Sequence, residues 1–172
     1  MELNSPSVFQ EATNRIVSAK HIFFYGIGDA TVPVYAPATD SANWVQRLFD
    51  FDPDYDINHG FEYCQYDVVI AISHSGMSRT VNAAVKAAHE AGAFTIGITQ
   101  SVKSTMTQYC NLIFYNATSD ITVGKEIVAH RFSENAIIEI LYASVVSKMP
   151  ETANYHLRKS AEILTANKEP SF

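Results

Sequence analysis

The sequence predicts an α/β protein, a three-layer α/β/α sandwich built on a mainly five-stranded parallel sheet. Short apolar strands alternate with amphipathic helical segments along the chain, the pattern of consecutive βαβ units. Asp67–Ile72 is apolar and β-branched without alternation, as expected for a strand covered on both faces of a parallel sheet. The stretches that follow three strands, 26–29, 73–78 and 99–104, are rich in glycine and hydroxyl residues. Open α/β sheets bind ligands at the carboxyl ends of their strands, where strand order switches, so these loops are the expected site.

Taken in order, Ser5-Pro6 is an N-cap followed by a proline suited to a first helical turn. Phe9, Ala12, Ile16 and Ala19 then share one face, giving a helix over 6–20. His21–Tyr25 reads as a short apolar strand ending at Gly26-Ile27-Gly28. Thr31–Phe49 reads as a helix whose first turns Pro33 and Pro37 make irregular; its apolar face is Trp44, Val45, Leu48 and Phe49. Phe51–Gly60 is the least regular stretch, with room for a short strand before a helix near Phe61–Gln65. Past the strand Asp67–Ile72, Met77–Ala91 reads as a helix with the stripe Val81, Ala84, Val85 and Ala88, and Gly92 stands where a left-handed stop is expected. Phe94–Thr99 is the next strand, Lys103–Tyr109 a helix and Asn111–Tyr115 a strand. A polar loop follows over Asn116–Lys125. Arg131–Lys148 is a long helix with the apolar band Ala136, Ile137, Ile140, Leu141 and Val145, ended by Pro150. Asn154–Asn167, carrying Leu157, Ala161 and Leu164, precedes a loose tail at Lys168–Phe172. A single domain over 1–172 is expected, with its core over 21–148 and a helical tail over 151–172.

At 172 residues the chain can bury one substantial core, and 47% hydrophobic with 17% charged residues is the balance of a globular protein. A net charge of −6 argues against direct nucleic-acid binding by this chain alone, since phosphate backbones are held mainly by Lys and Arg. Cys64 and Cys110 lack metal-type spacing and suggest buried thiols in a reducing cytoplasm. Residues 1–20 lack the apolar core of a signal peptide, and no run approaches the roughly 18 apolar residues of a membrane span. The expectation is a cytoplasmic protein with no membrane partner, no metal and no cofactor.

The chemistry concentrates at Ser73-His74-Ser75-Gly76-Met77-Ser78, where strand gives way to helix. Three hydroxyls surround a glycine that lets backbone approach a ligand, and the helix points unpaired amides and its positive end at the same spot. Phosphate is the anion that fits such a cup. The plainer reading is helix capping by Ser75 or Ser78, which requires only one hydroxyl. A hydrolase nucleophile elbow needs glycine two places before and two after the serine, which this run does not supply. Gly26-Ile27-Gly28 lacks the third glycine of a dinucleotide fingerprint, with Thr at position 31.

The run Asp67–Val81 with Ala87-Ala88-His89-Glu90-Ala91-Gly92-Ala93-Phe94-Thr95-Ile96-Gly97-Ile98-Thr99 resembles the sugar isomerase (SIS) domain, and more narrowly the effector-binding SIS domain of RpiR-type transcription regulators. Ile22–Gly28, Ser104 and Ile137–Tyr142 match as well, and the similarity covers 10–148. The resemblance implies a flavodoxin-like sandwich that binds a sugar phosphate and pairs as a homodimer or homotetramer. It implies phosphate contacts from Ser73, His74, Ser75, Gly76 and Ser78. Gly26, Gly28 and Thr31 would act in the first loop, where the family's usual serine is replaced by Ala30. Thr99 and Ser104 would act in the third, with Lys103 beside them.

Isomerase activity would demand more, because a general base must reach a carbon of the sugar. Glu126, His130, Glu134 and His59 are the candidates. SIS isomerases carry a glutamate at the start of the long helix, but the comparable place here falls near Arg131, with Glu134 one turn later. The sequence therefore points to a phosphosugar-binding domain, the effector-sensing half of an RpiR-type regulator or a stand-alone relative of one, with no catalytic residue assigned. A sugar-phosphate aldose–ketose isomerase using Glu134 or His130 is the alternative. About twenty residues precede the first strand, too few for an independent DNA-binding fold.

Overall fold

A computed structural model describes residues 4–26, 63–116, 121–123, 126–129 and 131–149. Its elements, in chain order, begin with helix α1 (Pro6–Ser18) and strands β1 (His21–Gly26) and β2 (Asp67–Ile72). Helix α2 (Arg79–Glu90), strand β3 (Phe94–Thr99), a 3-10 turn (Met106–Gln108) and strand β4 (Leu112–Tyr115) follow. A short hairpin of β5 (Ile121–Val123) and β6 (Glu126–Ala129) precedes helix α3 (Arg131–Lys148). Strands β1-β2-β3-β4 lie side by side in that order, all parallel; β5 and β6 pair antiparallel. Among the described strands the order does not reverse.

All six residues of β2 are buried, and their side chains divide by the two-residue period of a strand. Val68, Ile70 and Ile72 join Ile22, Phe24, Ile96, Ile98, Leu112 and Phe114 on one face, under Ala12 and Ile16 of α1 and Ile137, Ile138, Leu141 and Val145 of α3. Val69 and Ala71 turn the other way, to Val81, Ala84, Val85 and Ala88 of α2. Among the described residues, two helices on one face and one on the other make the three layers of an α/β/α sandwich, because the sheet has apolar side chains to hide in both directions.

The strand positions agree with the sequence expectation closely, and α3 has the expected bounds. Helix α2 starts at Arg79 rather than Met77, because the Met77 amide donates to Ser75 Oγ at 3.3 Å and the chain there is still loop. Its end is a Schellman turn: Gly92 N–H donates to the His89 carbonyl and Ala93 N–H to that of Ala88, with Gly92 at φ +87°.

Four expectations are corrected. Lys103–Tyr109 is a helix only as the 3-10 turn, because Ser104 and Thr107 exchange side-chain and main-chain bonds that compete with helical ones. The polar loop Asn116–Lys125 contains β5, the first arm of the hairpin. The described end of the helix near Phe61–Gln65, residues 63–65, is coil and turn. The buried band of α3 is Ile137, Ile138, Leu141 and Val145, while Ala136 is exposed and Ile140 is 48% exposed. The expected helices at Thr31–Phe49 and Asn154–Asn167, and a strand within Phe51–Gly60, lie outside the described residues.

Candidate functional site

Register brings the carboxyl ends of the strands together. Gly26 stands opposite Ile72, Ile72 opposite Ile98, and Thr99 opposite Tyr115, so the carboxyl ends of β1, β2, β3 and β4 share one edge of the sheet. Gly26 itself is buried at this edge.

The Ser73–Ser78 loop is fixed by main-chain bonds and neighbouring side chains. Ser73 N–H donates to the Ile98 carbonyl at 3.1 Å, and Gly76 N–H donates back to the Ser73 carbonyl at 3.0 Å. The His74 carbonyl accepts from Thr99 Oγ1 at 3.0 Å and from the Gln100 amide at 3.1 Å. The Gly76 carbonyl accepts from the Met106 amide and from Asn82 Nδ2, both at 3.2 Å. Gly76 has φ +65°, a left-handed conformation that glycine adopts without strain.

The start of α2 has no side-chain cap. Ser78 is the N-cap residue, with extended dihedrals (φ −63°, ψ 119°), yet its hydroxyl makes no cap hydrogen bond. The bond from the Asn82 amide to the Ser78 carbonyl, 2.9 Å, opens the helix. The amides of Arg79, Thr80 and Val81 precede it and have no helical carbonyl to reach. No acidic residue occupies the first turn to oppose a bound anion. Ser75 is exposed beside it, and Ser73 is buried at the base.

The remaining sequence candidates divide. Thr99 and Ser104 are buried and act on the loop: Thr99 through His74, Ser104 by packing against Gly76 while bonding Thr107. Lys103 is exposed. His74 turns inward, its Nδ1 3.6 Å from Glu134 Oε1. The Glu134 carboxylate, 1% exposed in the first turn of α3, also accepts from Asn116 Nδ2 at 2.8 Å. Glu126 belongs to β6. Gly28, Thr31, His59 and His130 lie outside the described residues. Among the described residues no cluster of His, Cys, Asp or Glu is placed to hold a metal ion.

Asn82 and Asn116 escaped the sequence reading. Asn82 had a signal, a polar residue next to the apolar stripe of α2 and six places beyond Gly76. Asn116 had a weaker one, its position directly after a strand whose neighbours end at the site.

A family model described as the SIS domain matches residues 15–147, which include every described site residue. The chain belongs to the SIS-domain family. This SIS domain is 26% identical over 161 residues to an uncharacterised HTH-type transcriptional regulator of Haemophilus influenzae, a match covering 90% of the chain and 54% of that relative. The chain spans about half the length of the curated relatives it matches over most of its own length. Solved structures share its fold, among them the two that follow. The Vibrio vulnificus NanR protein complexed with ManNAc-6P superposes with a TM-score of 0.76 at 16% identity, covering 96% of this chain and 63% of NanR. The sugar isomerase domain of an RpiR transcription factor from Sphaerobacter thermophilus gives 0.72 at 19% identity, covering 93% and 88%. Among the described residues no helix of this SIS domain is long and apolar enough to cross a membrane.

Proposed function

We propose that this chain is a phosphosugar-binding domain, the effector-sensing part or a stand-alone relative of an RpiR-type transcription regulator, working in the cytoplasm. The observation that carries the reading is the uncapped start of α2. Its first-turn amides face a loop whose Ser75 and Ser78 hydroxyls are not used to cap it, with no acid in the turn. Helix amides, hydroxyls and a left-handed glycine together form the kind of nest that receives a phosphoryl group. NanR, similar in fold, is described in complex with a sugar phosphate, which supports the same ligand class here.

The ligand contacts in this reading are Ser73, Ser75 and Ser78, the main chain of His74 and Gly76, and the α2 amides, with Gly26, Gly28 and Thr31 as further contacts. Thr99 and Ser104 serve it by holding the loop. Burial of Glu134 favours binding over isomerisation, since a general base has to reach a carbon of the ligand. Assembly as a homodimer or homotetramer belongs to the same reading, supported by the exposed Ile140 in a groove between α1 and α3. The deciding experiment is a thermal-shift screen of sugar phosphates against the matching free sugars. Stabilisation by the phosphates alone is expected, because a ligand that binds only the folded state raises its melting point. Equal shifts with and without phosphate would refute the site.

A further inference from the structure

We infer that Glu134 is a positioning residue of the ligand loop, acting through His74: from the first turn of α3 it holds the imidazole, and with it the Ser73–Ser78 backbone, in its receptive shape. The inference rests on the reading of that loop as the phosphate cup and brings a residue of another element into the site.

Three observations place the groups together. Glu134 is an ionisable side chain at 1% exposure, and a buried carboxylate persists only where polar partners meet its charge. Its Oε1 accepts from Asn116 Nδ2 at 2.8 Å and stands 3.6 Å from His74 Nδ1, so one oxygen lies beside residues that follow two different strands. Both ring nitrogens of His74 are closed off from solvent, while its side chain as a whole is 22% exposed.

Residue 74 is thereby anchored twice. Its carbonyl is held from β3 by Thr99 Oγ1 and the Gln100 amide, and its side chain faces α3 through Glu134. A carboxylate aimed at the cup would repel a phosphate. Buried and engaged from the side, this one shapes the loop instead.

The test measures amide hydrogen exchange of segments covering 73–78 and the affinity for inorganic phosphate. It uses the full chain as wild type, Glu134→Ala, His74→Ala and the double variant. The expected result for Glu134→Ala is at least tenfold faster exchange in that segment relative to β3, with about tenfold weaker phosphate binding. Added to His74→Ala, the same change should alter neither by more than twofold, because residues acting as a unit are not additive. Unchanged exchange in Glu134→Ala, or an equal effect with and without His74, overturns the inference. Glu134→Met, which fills the site without a polar group, replaces the alanine variant if that one fails to fold. Wild type that binds neither phosphate nor sugar phosphate defeats the cup reading, and the exchange comparison still decides the role of Glu134.

Discussion

Gly76 and Ser104 are packed so closely that a β-carbon on Gly76 would stand 2.2 Å from Ser104 Oγ and 2.6 Å from Ser104 Cβ. The φ of +65° would strain any side chain there as well. Gly76→Ala is expected to cost about 3 kcal/mol from the two effects, lowering Tm by about 6–12 °C for a chain of this size. Sugar-phosphate binding should be lost with it. Adding Ser104→Gly removes the clash but not the backbone strain, so the double variant should regain part of the stability. Thermal unfolding of the three proteins checks this, and no recovery in the double variant would count against the packing argument.

Ser78→Ala separates binding from folding. An N-cap serine replaced by alanine usually costs about 1 kcal/mol because a cap hydrogen bond is lost. Ser78 makes none, so its substitution should leave Tm within about 1 °C of wild type. A hydrogen bond to a charged phosphate is worth about 1.5–3 kcal/mol, so affinity should fall roughly 10- to 150-fold. Calorimetric titration of the sugar phosphate found in the screen reads the affinity. A variant that melts early but binds normally would return Ser78 to a capping role.

The fold was legible where burial is two-sided. β2 announces itself as an apolar run after Asp67 because helices cover both faces of the sheet, whereas α2 shows a stripe because only one of its faces packs on the sheet. The stripe of α3 was misplaced around Ile138 and Ile140, since apolar residues occur on more than one side of that helix. The hairpin carries its own signal: Ile121-Thr122-Val123 is β-branched throughout, Ile127 and Val128 follow Glu126, and Gly124-Lys125 between them is a two-residue turn sequence. Within the site, the serine loop could be read because it is contiguous. The contacts of His74 with Glu134, 60 residues on in the chain, and of Gly76 with Asn82 and Ser104 depend on how the loops fold back. No periodicity encodes that.

Cys110 should be chemically quiet in the folded protein. Burial pushes its thiol up from an ordinary 9.0 to about 12. The thiolate is the reactive form, so at pH 8 its fraction falls about a thousandfold below that of an ordinary cysteine. Alkylation of Cys110 by iodoacetamide, followed by peptide mass spectrometry, should therefore be slow in native buffer and accelerate with urea. Rapid labelling in native buffer would show that the surroundings do not raise the thiol.

The far end of the sheet sets the acid limit of the fold. Burial alone would raise the carboxyl of Asp67, but the Cys64 amide and side chain and the His21 ring outweigh it, and the group titrates below its usual 3.8. The contacts are short: Oδ2 accepts from the Cys64 amide at 2.8 Å, and Oδ1 lies 2.9 Å from His21 Nδ1. A carboxyl depressed in the folded state contributes fully above its unfolded pKa, and that contribution is lost as pH falls through the unfolded value toward the folded one. Asp67→Asn should thus be less stable than wild type at pH 6–7, by about 1.5–3 kcal/mol for charge-assisted bonds. The gap should narrow below about pH 4, as first the unfolded and then the folded wild-type carboxyl takes up its proton. Urea unfolding of both proteins between pH 3 and 7 gives the comparison. A gap constant across that range would mean that the asparagine loses packing and not charge, and the β1–β2 start would owe nothing to the ionised form.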